Sequence, residues 1–280
     1  MFNVNREDVA MGWMGKLIGG TLGFVIGGPL GAIAGAAFGH TIDKSGELSA
    51  TESPFDGGSY GGANPYERMG GAFGRRVSTQ QRAQMTFFIG AFSMVAKVAA
   101  ADGNVSQAEM KRIREFMDND LQLDPQSKGV AERIFHTALS QDQPYEQLAQ
   151  QFYGEFRSQS QILELLIDFL YRVAAEDGGV TQNEEDLIQR AARIFQFSQQ
   201  RIDNIRRRYV ASAEKHYAVL GVSPQDSNDA IKKAYRSLVR EYHPDTIASK
   251  GLPEEFNKFA ADKFREIQEA YEAVRQERGF

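Results

Sequence analysis

The sequence predicts an all-α protein in three parts: an N-terminal glycine-rich transmembrane helix, a duplicated helical bundle, and a C-terminal helical hairpin. Three observations predict it. A run of 23 residues from Leu17 to Gly39 carries no charge. One stretch occurs twice, as Val98-AAADGNVSQA-Glu109 and Val173-AAEDGGVTQN-Glu184, each joining the end of one helical pattern to the start of another. Near the end, Ile231, Ala234, Tyr235, Leu238, Val239 and Tyr242 recur at the three-and-four spacing of one helical face. The resulting segments are a short N-terminal piece (1–16), a membrane helix (17–39), a linker (40–80), the duplicated domain (81–212) and the terminal domain (213–280).

Composition narrows the function. With 32 Lys+Arg against 37 Asp+Glu the net charge is −5, which argues against a nucleic-acid-coating protein. Zero cysteines exclude disulfides, thiolate metal centres and a thiol nucleophile. Glycine is unevenly spread: 18 of the 27 lie between Gly12 and Gly74, so the first quarter of the chain obeys different rules from the rest.

A helix over residues 17–39 would be about 34 Å long, enough to cross a bilayer. The rival reading, a cleaved signal peptide, fits less well, because the run exceeds a usual apolar signal core and Gly39-His40-Thr41 is a poor cleavage site. Gly19, Gly23, Gly27, Gly31, Gly35 and Gly39 recur every four residues, leaving a groove in which a second helix can approach closely, so a homodimer through this anchor is expected. Pro29 lies mid-run and could instead fold it into a re-entrant hairpin. Flanking charges do not fix the orientation: Arg6 and Lys16 precede the run and Lys44 follows. Residues 40–80 collect Gly, Ser, Pro and Asn without periodicity and read as a flexible tether.

In each copy of the repeat an apolar helix (Phe87 to Ala101; Ile162 to Ala175) ends at Asp-Gly, and Ser106-x-x-Glu109 or Thr181-x-x-Glu184 forms a capping box that opens the next. Met110, Ile113, Phe116 and Met117, and Leu187, Ile188, Ala191, Ile194 and Phe195, mark the buried faces. Asp102, Glu109, Asp177 and Glu184 could meet as four hard oxygen ligands for a divalent cation such as calcium or magnesium. Capping explains the same residues locally, and the loop lacks the ligand series of an EF-hand. His136 reads as a helix-surface or partly packed residue. The duplicated Asp-Gly-x-Val-[Ser/Thr]-x-x-Glu pattern resembles the TerB-like all-helical domain, whose acids are proposed to bind metal; the resemblance implies no enzymatic activity.

In the last segment the apolar face of Ile231 to Tyr242 is opposed by Lys232, Lys233, Arg236 and Arg240, and Pro244 stops the helix near Tyr242. After Leu252-Pro253, Phe256, Phe259, Ala260, Phe264, Ile267, Ala270, Tyr271 and Val274 form a second stripe, expected to pack on the first with Tyr217, Leu220 and Val222 closing the core. Alone, the four cations would read as a solvated face. His243 suits neither a metal site nor a general base, since no nucleophile motif accompanies it and His216 stands at the domain entrance.

Tyr217-x-x-Leu220-Gly221-Val222, the helix with Lys232 and Lys233, His243-Pro244-Asp245, and Lys263-Phe264-x-x-Ile267 resemble a DnaJ-type J-domain. The whole arrangement is similar to the membrane-anchored DnaJ-type co-chaperones of bacteria. The resemblance implies a DnaK-type chaperone as partner, whose ATP hydrolysis is stimulated in trans, so the chain itself is no enzyme and requires no cofactor. His243, Pro244 and Asp245 would form the contact loop, with Lys232, Lys233, Arg236 and Arg240 facing an acidic surface of the partner. The membrane would be the bacterial inner membrane, crossed once, with the C-terminal domains in the cytoplasm where DnaK-type chaperones and ATP reside. No Gly/Phe-rich region or cysteine-rich zinc domain follows the J-domain-like segment, which argues against general capture of unfolded clients. The alternative is a metal-responsive envelope stress protein working through the acidic middle domain.

Overall fold

The computed structural model describes residues 26–38, 78–175, 179–209 and 215–280, all helix, turn or loop among those residues. Helix α1 (Gly28–Phe38) is followed by α2 (Thr79–Ala99), α3 (Gln107–Asn119), α4 (Pro125–Ser140), α5 (Tyr145–Phe156), α6 (Ser160–Ala175), α7 (Gln182–Ile194) and α8 (Gln199–Tyr209). The terminal segment holds α9 (Lys215–Leu220), α10 (Asn228–Glu241), α11 (Pro244–Ala248), a 3-10 turn (Glu254–Phe256) and α12 (Asn257–Arg278).

The duplication is visible as two helix pairs, α2–α3 and α6–α7, each with its capping box. Ser106 Oγ accepts from the Glu109 N–H while Glu109 caps the Ser106 N–H at 2.6 Å, and Thr181 and Glu184 do the same at 3.3 and 2.9 Å. Helices α2 and α6 are buried nearly all round, from Met85 to Ala96 and from Ile162 to Tyr171, as expected of helices enclosed by others. Around α2 stand α1, α4, α5 and α6.

The structure differs from an unbroken helix over 17–39. Gly27 and Gly28 take φ of +63° and +60°, left-handed values that glycine tolerates without a Cβ penalty, and they separate helical Ile26 from α1, which begins at Gly28. Its 11 residues reach about 16 Å. Among the described residues no helix is long and apolar enough to cross a membrane. Instead α1 packs on α2, α4 and α5, burying Leu30, Gly31, Ile33, Ala34 and Phe38, because protein core and lipid accept the same side chains.

The terminal hairpin is not closed on itself alone. Tyr235 and Tyr271 stack at 3.9 Å between α10 and α12, and the Arg278 guanidinium ties the end of α12 to the Asp226 carbonyl and Asn228, at 2.6 and 3.0 Å. Yet Tyr235, Leu238 and Val239 stay only partly buried. Phe256 and Phe259, expected to face α10, turn into the middle domain. Phe256 is fully buried among Phe87, Phe88, Phe92 and Phe169, with ring centres 4.7 Å from Phe87 and 5.3 Å from Phe169. The two domains therefore share one aromatic core.

Candidate functional site

Helix α10 opens on Ser227, whose hydroxyl accepts from the Ala230 N–H, and closes at Tyr242. The Tyr242 ring is buried, which anchors the chain at the point where the next three residues leave the surface. Pro244 cannot continue α10 but suits the first turn of a helix, and α11 begins on it, an element the sequence reading did not contain. His243 is the N-cap: its Nδ1 accepts from the Asp245 N–H at 3.3 Å, and its ring stands edge-on to Phe264 at 5.8 Å. The His243 side chain is 49 % exposed and that of Asp245 93 %. The tripeptide is thus a fixed, outward loop on rigid helices, suited to contact.

The four cations of α10 differ among themselves. Lys232 is partly buried with Nζ 4.8 Å from the Phe280 ring centre. Lys233, Arg236 and Arg240 are exposed, and among the described residues none has a carboxylate within ion-pair distance. Arg236 spends its Nε on the Lys232 carbonyl at 3.2 Å. Three uncompensated positive charges project from one helix beside the exposed loop.

In the middle domain Glu109 and Glu184 line a common small cavity with Arg112, Ile113, Leu170 and Ala174. The Glu109 carboxyl is held below its usual range by hydrogen bonds from the Ser106 backbone and hydroxyl, the signature of a cap. Asp102 receives a hydrogen bond from the Asn183 amide. Among the described residues no three His, Asp or Glu side chains are grouped to hold a metal ion; Asp177, like Gly19, Gly23 and Gly39, lies outside them. His136 is exposed on α4, as expected.

Sequence reasoning missed a buried charge cluster that joins the two domains. Asp168 of α6 is fully buried and takes Arg208 Nη1 on both oxygens at 3.1 and 3.0 Å, the Tyr209 hydroxyl at 2.9 Å and Lys263 Nζ of α12 at 3.3 Å. Glu164, one turn earlier, accepts from Arg208 at 3.0 Å and from Arg201, and Lys263 also meets Glu266 at 3.0 Å. Three carboxylates thus face three cations, the balance a buried cluster needs. The signal was present: carboxylates at i and i+4 interrupt the apolar run ILELLIDFLY.

Three family models match the chain: tellurite resistance protein TerB over residues 88–207, the DnaJ domain over 215–278, and the co-chaperone DjlA transmembrane domain over 11–63. Among curated relatives, the co-chaperone protein DjlA of Vibrio cholerae is 31% identical over 95% of this chain and 98% of its own length. That of Photobacterium profundum is 28% identical over 95% and 99%, and that of Escherichia coli K12 27% over 72% and 83%. No solved structure matches the chain at a significant level.

Proposed function

Since the chain belongs to the family of the co-chaperone DjlA, a J-domain family that is not enzymatic, we propose that it recruits a DnaK-type chaperone to a membrane surface and stimulates its ATP hydrolysis through His243, Pro244 and Asp245. The supporting observation is the outward loop at the end of α10, with Asp245 almost wholly in solvent and unpaired Lys233, Arg236 and Arg240 on the helix that leads to it. Exposed uncompensated cations steer an acidic partner and orient it; the loop supplies the specific contact. Lys232, held against Phe280, contributes less.

The match to the DjlA transmembrane domain over 11–63 supports anchoring by the N-terminal segment; a single pass of the bacterial inner membrane with residues 78–280 in the cytoplasm follows from where a DnaK-type partner and its ATP reside, and pairing of two copies from the close approach that the glycine spacing permits. The test is single-turnover ATP hydrolysis by a DnaK-type chaperone with the full chain carrying His243→Gln. Stimulation is lost while helical content and thermal stability stay near wild-type values, because the half-exposed side chain contributes only one cap hydrogen bond and one ring-edge contact. A folded His243→Gln chain that stimulates as well as wild type would remove this reading.

A metal-responsive role of the middle domain has one observation in its favour, the convergence of Glu109 and Glu184 on one cavity. Arg112 in the same cavity weighs against it, since a guanidinium occupies the electrostatic place of a cation.

A further inference from the structure

Residues 28–38 meet two demands that exclude each other. Within a span over 17–39 they lie in lipid, whereas in the structure Leu30, Ile33 and Phe38 are wholly or almost wholly enclosed by α2, α4 and α5. We infer that the groove between these three helices is a sheath for the second half of the anchor, so that residues 28–38 exchange between protein and bilayer and membrane insertion empties the groove. The inference rests on reading the N-terminal segment as a membrane anchor.

The groove is shaped for this helix. Where Gly27 and Gly28 turn left-handed, the Leu30 N–H loses the carbonyl a continuous helix would offer it. Gln151 of α5 replaces it, accepting from Leu30 N at 2.8 Å and donating to the Gly27 carbonyl at 2.8 Å. One side-chain amide thus closes the open end of the helix. Gly90 lies beside the groove: a Cβ there would stand 2.6 Å from a Phe152 ring atom and an ordinary 3.7 Å from Leu30, so its missing side chain makes room for Phe152 while Leu30 packs next to it. At the far end Phe38 lies beneath the Arg133 guanidinium at 4.9 Å. The outward positions are small, Gly28, Ala32 and Ala36, so water meets no large apolar residue while the sheath is closed.

The glycine pair supplies the hinge. Ordinary helical φ at Gly27 and Gly28 would join α1 to the preceding uncharged residues, restoring a bilayer-length run, whereas left-handed φ breaks it and turns α1 into the groove. The span and the sheathed helix are two states of one segment, and the bilayer favours one of them.

The chain has no cysteine, so Phe38→Cys with Arg133→Cys gives a single thiol pair for a short bis-maleimide. The full chain is synthesised cell-free with and without vesicles of phosphatidylethanolamine and phosphatidylglycerol, and crosslinking and flotation are scored together. Without vesicles the crosslink forms; with them the chain floats and the crosslinked fraction falls at least about fivefold. Gln151→Ala, which removes the amide that closes the start of α1 and leaves the anchor untouched, weakens the crosslink without vesicles and increases the floating fraction. A chain that floats with its crosslink undiminished overturns the exchange and leaves the anchor reading standing. One that keeps its crosslink and never floats overturns both, and absence of the crosslink without vesicles overturns the sheath.

Discussion

Replacing Asp168 by Asn keeps the shape of the buried side chain and deletes its charge. Arg208 and Lys263 then face an amide that can accept through one oxygen but presents N–H groups where the second carboxylate oxygen stood. At the 3.3 Å separation of Lys263 and Asp168 the gross attraction is about 5 kcal/mol at an effective dielectric of about 20. Glu164 and Glu266 remain, so the substitution leaves one buried positive charge in excess, which costs about 3–5 kcal/mol, a large part of the roughly 5–15 kcal/mol that stabilises a domain. Urea unfolding of the chain from residue 78 onward, followed by circular dichroism, reads this directly. In Lys263→Met the excess cation is gone, so the double variant is more stable than the sum of the single losses predicts, by about 1–3 kcal/mol. Acid gives a second reading. Burial alone would raise the Asp168 carboxyl, but Lys263 and Arg208 outweigh it and hold it below the ordinary aspartate value of 3.8. A depressed carboxyl stabilises the fold above its unfolded value and loses that contribution as pH falls through its folded value. The gap between wild type and Asp168→Asn is therefore constant near neutrality and narrows below pH 3.8. Additivity of the two substitutions within about 0.5 kcal/mol would refute the inter-domain coupling.

Lys233→Glu with Arg236→Glu slows association with the DnaK-type chaperone and flattens its salt dependence, with stability unchanged, as measured by stopped-flow at two ionic strengths. Phe256→Ala destabilises the chain by about 3–5 kcal/mol in urea melts, whereas Tyr235→Ala, which loses chiefly a half-exposed stack, costs about 0.5–1.5 kcal/mol; the reverse order would mean that the hairpin carries its own core. Millimolar calcium or magnesium leaves the melting temperature of wild type and of Glu109→Gln with Glu184→Gln equally unmoved; a rise in wild type alone would establish a middle-domain metal site.

What was legible in the sequence was local. The capping boxes at Ser106 and Thr181, the stop at Pro244 and the exposed cations of α10 each depend on residues within a few positions, and each stands where the spacing put it. What was not legible was the identity of the neighbour. An apolar stripe states that a face is covered, not by what, so Phe256 and Phe259 read as hairpin core and turned out to be shared with α2 and α6. Hydropathy is equally silent between lipid and protein for Leu30 and Ile33. Glu164 and Asp168 were readable as a pair out of place in α6, but their partners come from α8 and α12, and no local pattern links Lys263 to a residue 95 positions away.

The burial of Phe256 bears on how such chains can be recombined. A terminal domain borrowed from another co-chaperone, joined at the loop before α9, would bring its own tripeptide and basic helix. Unless it also carried an aromatic ring just ahead of its last helix, it would leave a hole the size of a phenyl group between Phe87 and Phe169. It would also strand Asp168 without its lysine. A chimera of this kind could keep its grip on the chaperone while hanging loosely from the host, its loop no longer aimed in a set direction. Retaining the host's residues 250–263 within the graft is the condition for a hybrid that points its loop where the parent does.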